Sequence, residues 1–300
     1  MDLRRLELLR ELGDRGSVIA VARATHRTPS AVSQQLKVLE REIGYPLTER
    51  RGRGIILTDA GKALARTATD IAAAMQRAEA VWNDFVAAPA GEVTLVTFPT
   101  AGRMLLPGAL RDAAAHPGLV LAATDRDPPL SEFATLTNDF DIVLGYSQNG
   151  RAAWPGDELV IRELLIEPLD VVLPSDHPLT AKAALTPADL ADETWIAVPD
   201  NFPYERILSD IERVTGRALK VSQRFSDTRI VEALVAGGLG VAVLPRYTTG
   251  GPGSGVELRP LAGVVTERHI CALVRRDRIE RPSVRLVLDL LQRQADLLAR

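Results

Sequence analysis

The chain has 300 residues, 46% of them hydrophobic and 25% charged, with a formal net charge of −3; this is the composition of a globular protein with room for two or three cores. No apolar run reaches the ~20 residues that span a bilayer, and Arg4, Arg5, Glu7 and Arg10 interrupt any signal-peptide core, so the expected location is the cytoplasm with no membrane partner. Charge is uneven: residues 1–66 hold 13 Lys/Arg against 8 Asp/Glu, and the remainder 23 against 31, so only the N-terminal part favours a polyanion. The one cysteine, Cys271, excludes an intrachain disulfide and a CxxC site, and its apolar setting, HICALV, reads as a buried structural thiol.

Leu3, Leu6, Leu9 and Leu12 give a first helix its apolar stripe, Gly13 and Gly16 bracket its end, and Ser17 is a candidate N-cap for a second. Within Ser17–Gly44 two amphipathic patterns meet at a short turn, Arg27-Thr28, and Pro29 occupies the first turn of a third helix. That helix has an apolar face, Val32, Leu36, Leu39 and Ile43, and a polar one, Ser30, Ser33, Gln34, Lys37 and Arg41. Gln and Lys suit base-edge acceptors in a major groove, and Ser suits bases or phosphate. Arg50-Arg51-Gly52-Arg53-Gly54, ahead of Ile55-Ile56-Leu57, reads as the basic tip of a wing that meets phosphates or a minor groove. The candidate DNA contacts are Arg27, Thr28, Ser30, Ser33, Gln34, Lys37, Arg50, Arg51 and Arg53. Taken singly, each is equally a solvated polar face or turn.

Thr58 then caps a long helix, about Asp59 to Ala88. Leu64, Ala68, Ile71, Met75, Ala78, Trp82 and Phe85 follow alternating steps of four and three, a heptad seam. A rod of roughly 45 Å cannot bury such a seam on a small winged domain, so a partner helix and a homodimer are expected, against the alternative of an ordinary core helix. Ala87-Ala88-Pro89-Ala90-Gly91 breaks the helix as a hinge.

Strands and helices alternate beyond the hinge. Strands are expected at Val93–Phe98, Val120–Thr124, Ile142–Tyr146, Leu164–Leu173, Trp195–Val198, Val221–Phe225, Val241–Leu244 and Ile270–Val274. Helices are expected at Arg103–Ala115, Tyr204–Thr215, Thr228–Ala236 and from Ser283 on, the last burying Val284, Val287, Leu291 and Leu298. This is an α/β pattern. No catalytic or metal constellation appears. The four histidines, His26, His116, His177 and His269, lack ligand spacing, and the glycine loop Gly250–Gly255 lacks the Lys-Ser/Thr ending of a phosphate cradle. Gly237-Gly238-Leu239-Gly240 ends a helix and opens a strand, the reverse of a dinucleotide fingerprint. No metal or cofactor is implied.

Open α/β sheets gather ligands at the carboxyl ends of strands, where helix N-termini present free amides. Thr100, Ala101 and Gly102 follow the first strand, Ser226 and Thr228 open a later helix, and Tyr146, Ser147, Asn201 and Phe202 stand at other strand ends. These nine are the candidate binding residues for a small anionic or polar molecule, and each serves equally well as a cap or loop residue.

Three segments, MDLRRLELL, SAVSQQLKVLEREIG and LTERRGRGIILTDAGKAL, closely resemble the DNA-binding domain of LysR-type transcriptional regulators. A looser resemblance continues through GEVTLVTFPTAGRMLLP, FDIVLGY, LLIEPLDVVLPSDHPL and VEALVAGGLGVAVLP. It implies a winged helix-turn-helix over 1–58, a dimerisation helix and hinge over 59–90, and a two-lobed α/β effector domain over 91–300 that folds like periplasmic binding proteins. Lobe one would take 91–162 and 267–300, and lobe two 163–266. The resemblance further implies operator DNA as partner, a small-molecule effector between the lobes, a dimer that associates into a tetramer, contact with RNA polymerase, and no enzymatic activity. The sequence departs from many relatives at Pro29 and Gln34, where Gln and Arg are usual, which alters the expected operator, and at Thr48, which replaces an aromatic or leucine and is expected to loosen the wing. The competing readings are a transport solute-binding protein, which would need export, and an enzyme with an appended DNA-binding module, which would show turnover.

Overall fold

The computed structural model describes residues 1–51, 54–86, 89–200, 202 and 204–299, with side chains in the helix that ends at 86 described as far as Ala78. The chain opens with α1 (Leu3–Arg15), α2 (Val18–Ala24), α3 (Pro29–Ile43), β1 (Thr48–Arg51), β2 (Gly54–Leu57) and α4 (Asp59–Val86). Leu6, Leu9 and Leu12 of the first stripe pack with Val21, Val32, Leu36, Leu39, Leu47 and Leu57 in one core. Leu3 and Ile43, expected on the same faces, are 46% and 40% exposed, because both lie on the terminal turn of their helices and overshoot that core. Ser17 sits at the N-cap of α2 without a side-chain cap bond. The turn into α3 places His26 at φ 52°, the left-handed region, with Arg27 N–H bonded back to Ala22 O at 2.8 Å.

The wing is tied to α3 by one carboxylate. Glu40 Oε1 accepts from Leu47 N–H, Thr48 N–H and the Thr48 hydroxyl at 2.9, 2.8 and 2.8 Å. Thr48, expected to loosen the wing, instead supplies two of these three bonds, one of them from its side chain. Thr58 caps α4 as expected, accepting from Gly61 N–H at 3.0 Å. Gly61 is obligatory there: a Cβ would lie 2.0 Å from Leu47 O.

The long helix divides its seam. Ala68 is buried in the winged core, with Leu64 and Ile71 packed against it. From Met75, 46% exposed, the described side chains of the seam face outward, Ala78 included. Trp82 and Phe85 lie outside the described side chains. A winged domain therefore does bury the first half of this seam, because α1 lies along α4 and covers it.

The remaining elements are β3 (Gly91–Thr97), α5 (Pro99–Ala113), β4 (Leu119–Asp125), α6 (Phe133–Leu136), β5 (Ile142–Ser147), β6 (Leu159–Pro174), β7 (Thr194–Ala197), α7 (Arg206–Thr215), β8 (Lys220–Arg224), α8 (Thr228–Ala236), β9 (Ala242–Pro245), β10 (Val256–Arg259), β11 (Glu267–Arg275) and α9 (Pro282–Leu298). The expected elements recur with shifted ends, and α5 starts at Pro99 because proline fits the first turn of a helix. The short β10, VELR, alternates apolar and polar residues over only four positions, too short a run to stand out in the sequence; it forms by pairing with β6. A seven-stranded sheet runs β10-β6-β11-β5-β3-β4, with β9 also on β6. β3 is parallel to β4 and β5, whereas β11 is antiparallel to β5 and β6. The 16-residue β6 pairs with β11 as far as Pro168, then with β9 and β10 from Leu169. A single unbroken strand thus changes partners at 168–169, from β11 to β9 and β10.

β7 and β8 form a parallel pair joined to the second lobe by the Trp195–Val241 bridge. α9 packs Val284, Val287 and Leu291, all 0% exposed, onto the first lobe beside α5, with Leu298 half-buried. Each such side chain contributes about 1.5–3 kcal/mol of burial.

The winged domain rests on the first lobe through ions. Arg10 Nη1 meets Asp277 Oδ2 at 2.8 Å, Arg275 Nη1 meets Asp14 Oδ2 at 2.6 Å, and Arg15 Nη1 meets Asp139 Oδ1 at 3.0 Å. Asp277 also takes Arg275 Nε at 3.3 Å. Burial alone would raise the Asp277 pKa; Arg275 and Arg10 outweigh it and hold the carboxyl below its ordinary 3.8. Its contribution is therefore complete above that value and disappears as pH falls through the lower native one. Asp277→Asn is expected to cost about 1.5–3 kcal/mol at neutral pH, because Arg10 and Arg275 each lose one charged partner while Glu11 and Asp14 remain beside them. Denaturant unfolding of both proteins across pH checks this: the gap must narrow below pH 3.8, and a pH-independent gap rejects the ionic assignment.

Candidate nucleic-acid interface and interlobe site

α3 lies with its leucines inward and its polar row outward. Ser30, Gln34 and Lys37 are exposed and Ser33 is half-buried, so all four stand on the outer side. Thr28 is the N-cap: its hydroxyl accepts from Ala31 N–H at 3.2 Å and lies 3.0 Å from the Ser30 hydroxyl, so capping occupies it first. Arg27 is exposed in the preceding turn, and Arg50 and Arg51 are exposed on β1. Arg53 lies outside the described residues. One residue of this surface went unnoticed in the sequence. Tyr45, 61% exposed, follows the left-handed Gly44 and borders the same concavity as Gln34, Lys37 and Arg41. A phenol there can donate to a phosphate.

Between the lobes lies a cavity of about 700 Å³. Thr100, Gly102, Tyr146, Phe202, Ser226 and Thr228 line it, as expected from the strand ends. Ala101 does not: it is 0% exposed on the core face of α5. Ser147 does not either, since strand alternation turns it away from the side of Tyr146 and its buried hydroxyl donates to Gly150 O at 2.9 Å. Asn201 lies outside the described residues. The two helix N-termini also differ. α8 is capped by its own Asp227, whose carboxylate accepts from Arg229 N–H at 2.9 Å and pairs with the Arg229 side chain at 2.8 Å. The α5 terminus has no side-chain cap and Pro99 in its first position, so it alone presents uncapped amides.

The floor is built around a residue the sequence reading passed over. Arg268, 2% exposed on β11, donates from Nε and Nη2 to Glu167 Oε2 at 2.8 and 2.6 Å, and from Nη2 to the Thr100 hydroxyl at 2.7 Å. Glu167, on β6, is 0% exposed. The guanidinium stands over the rings of Phe98, Tyr146 and Tyr204, 5.1, 4.8 and 5.8 Å from their centroids. Burial would lower the Arg268 pKa, but Glu167 and the two phenols outweigh it, so the group stays charged. Tyr146 donates to Asp127 Oδ1 at 3.2 Å. Neither residue stands out in the sequence, since Arg268 lies between Glu267 and His269 and β6 also carries Arg162, Glu163 and Asp170; the pairing is visible only once the strands are known to be neighbours.

Glu167→Gln keeps an acceptor but strips the buried guanidinium of its counter-charge, and is expected to destabilise by about 3–5 kcal/mol. The double change Glu167→Leu, Arg268→Met removes both charges and is expected to recover most of that loss. Thermal unfolding decides it; a double variant less stable than Glu167→Gln rules out desolvation as the governing cost.

Among the described residues no helix is long and apolar enough to cross a membrane, and no cluster of His, Cys, Asp and Glu could hold a metal. Cys271 is 0% exposed, and desolvation, with the Glu163 charge, pushes its thiol pKa up to about 12, so it is not a ready thiolate.

Comparison with known proteins matches the same two parts. The helix-turn-helix of lysR-family bacterial regulatory proteins matches residues 3–62, and the LysR substrate binding domain matches residues 87–296. The HTH-type transcriptional regulator CbbR of Xanthobacter flavus is 29% identical, over 97% of this chain and 87% of its own. The transcriptional dual regulator GltC of Bacillus subtilis is 26% identical, over 83% and 82%. Full-length OxyR of Pseudomonas aeruginosa, as a variant, shares the fold at a TM-score of 0.64 and 19% identity, covering 97% of this chain and 98% of its own. CbnR, solved with its target DNA, does so at 0.54 and 19%, covering 98% and 100%. With a winged helix-turn-helix followed by a two-lobed substrate-binding domain, the chain belongs to the LysR family of transcriptional regulators and is not an enzyme.

Proposed function

We propose that this regulator reads operator DNA with α3 and grips it with the wing, and that a small molecule between the lobes changes the outcome. The observation that carries the first part is the exposed row Ser30, Gln34 and Lys37 on a helix pinned by Val32, Leu36 and Leu39. Arg50 and Arg51 are exposed on β1 of the wing, and Arg53 follows them in the sequence. Gln34 favours adenine at the position where an arginine would favour guanine. The interlobe cavity supports the second part, with Thr100, Gly102, Tyr146, Phe202, Ser226 and Thr228 around it. Binding acts only through a preference for one arrangement of the DNA-reading heads. RNA polymerase is the partner such regulation would address.

The outward end of α4 favours a dimer. Leu3 and Met75, both 46% exposed, border one groove beside it, and a second copy of α4 would cover them. Association of dimers into a tetramer through the effector domains rests on family likeness.

Sequencing of DNA fragments retained by the purified protein yields the operator. On that operator, Gln34→Ala is expected to relax preference at one or two base pairs by about 1–3 kcal/mol each. Arg51→Ala should instead weaken binding to all sequences and reduce the salt slope by about 1. Equal loss at every site in the Gln34 variant removes its base-reading role.

Met75→Asp, on the exposed part of the helix, is expected to shift the full chain toward monomer in sedimentation while leaving its melting temperature nearly unchanged. An unaltered dimer places the interface elsewhere.

A further inference from the structure

We propose that the interlobe cleft takes a zwitterionic acid, a molecule that carries both a carboxylate and a protonated amine. This rests on the reading of that cleft as the effector site and specifies the chemistry it selects. The charged groups on the cavity wall are Arg103, Asp125, Asp127, Asp227, Arg229 and Arg268. Two of the cations are already matched: Arg229 pairs with Asp227, and Arg268 with Glu167 beneath the floor. Arg103 donates to a carbonyl, Thr248 O, at 2.8 Å and has no carboxylate partner among the described residues. Asp125 and Asp127 likewise have no cation partner among them. Left over are one cation on α5 and two carboxylates at and just beyond the end of β4, whose Asp125 pairs with Thr97 at the strand end that leads into α5, so charges of both signs stand side by side.

The positive pole lies at the start of α5. The uncapped amides of that helix, the Arg103 side chain, and Arg268 Nη1, which has no hydrogen-bond partner among the described residues, all belong to the same wall. A carboxylate is the natural occupant.

The negative pole is Asp127 with two phenols. Asp127 is open to the cleft and accepts one bond, from Tyr146. The Tyr204 hydroxyl, on a residue 2% exposed, lines the cavity and has no hydrogen-bond partner among the described residues. A buried hydroxyl without a partner is unfavourable, and a bound ligand donor satisfies it. An ammonium satisfies both acceptors at once, and a plain dianion would set its second carboxylate against Asp125 and Asp127. The electrostatics agree: desolvation raises the Asp127 pKa, and the Tyr146 bond and the Arg268 charge do not fully offset it, so the carboxylate is incompletely compensated where it stands.

The test is calorimetric and thermal-shift titration of the full chain with the common amino acids and with their 2-oxo acid counterparts. At least one amine-bearing acid should bind, and its counterpart should bind about tenfold to a hundredfold more weakly. Asp127→Asn should weaken the amine-bearing acid by a similar factor and leave the 2-oxo acid unchanged. Tyr204→Phe, which removes one hydroxyl, should do the same more mildly and guards against a misfolded Asp127 variant. A 2-oxo acid that binds as tightly as its amine, a preference that survives Asp127→Asn, or silence of every amine-bearing acid overturns the proposal. Ser226→Trp separates this from the cleft reading itself: a ligand that binds this obstructed variant as well as the natural protein lies outside the cleft.

Discussion

The second half of the molecule depends on one ion pair sealed away from water. Arg268 and Glu167 come from β11 and β6, the two strands that carry the chain between lobes. Both are essentially unexposed. A pair so placed stabilises little against an apolar substitute, because desolvation of each ion is costly. What it provides is position. The guanidinium is held on three sides, by Glu167, by the Thr100 hydroxyl and by the rings of Phe98, Tyr146 and Tyr204. The start of α5, the aromatic wall and the interlobe strands are thereby fixed to one another, and the cavity has a rigid floor.

The winged domain uses a different economy. Its leucines make a small core, and its polar parts are organised by single groups that serve several partners. Glu40 collects three donors from the start of the wing, and Thr58 both caps α4 and donates to Pro46 O at 2.9 Å. Such nodes keep β1 and β2 at a set angle to α3, so that a basic wing and a polar helix face form one surface.

How much was legible in the sequence follows from how local each signal is. The winged domain was largely legible, since its helices are amphipathic, Thr58 caps α4, and α1 and α3 stop at glycines; the caps Asp2 and Thr28 were not read from the sequence, and Ser17, which was, makes no side-chain cap bond. The loops around the cleft were legible from strand ends alone, which located Thr100, Ser226 and Thr228 but also drew in Ala101 and Ser147, whose neighbours share the strand end while their own side chains turn inward. Arg268 and Glu167 were not legible, because they are 101 residues apart and meet only through the sheet. The seam of α4 was read correctly as apolar, yet periodicity does not say which partner covers it: the winged domain's own core takes Leu64, Ala68 and Ile71.

β11 joins two parts of the molecule that the sequence keeps far apart. One end carries Arg268 in the cleft floor, the other Arg275, bonded to Asp14 of α1. The seven-residue separation spans roughly 23 Å at ~3.3 Å per residue. β5 and β6 flank the strand and hydrogen-bond it on both edges. Its one irregularity is the register shift at Ile270/Cys271. The cleft and the DNA-reading head are thus in mechanical series along a single strand. Any tilt of that strand would reach α1 as a displacement of its ionic seat, with no loop in between to absorb it.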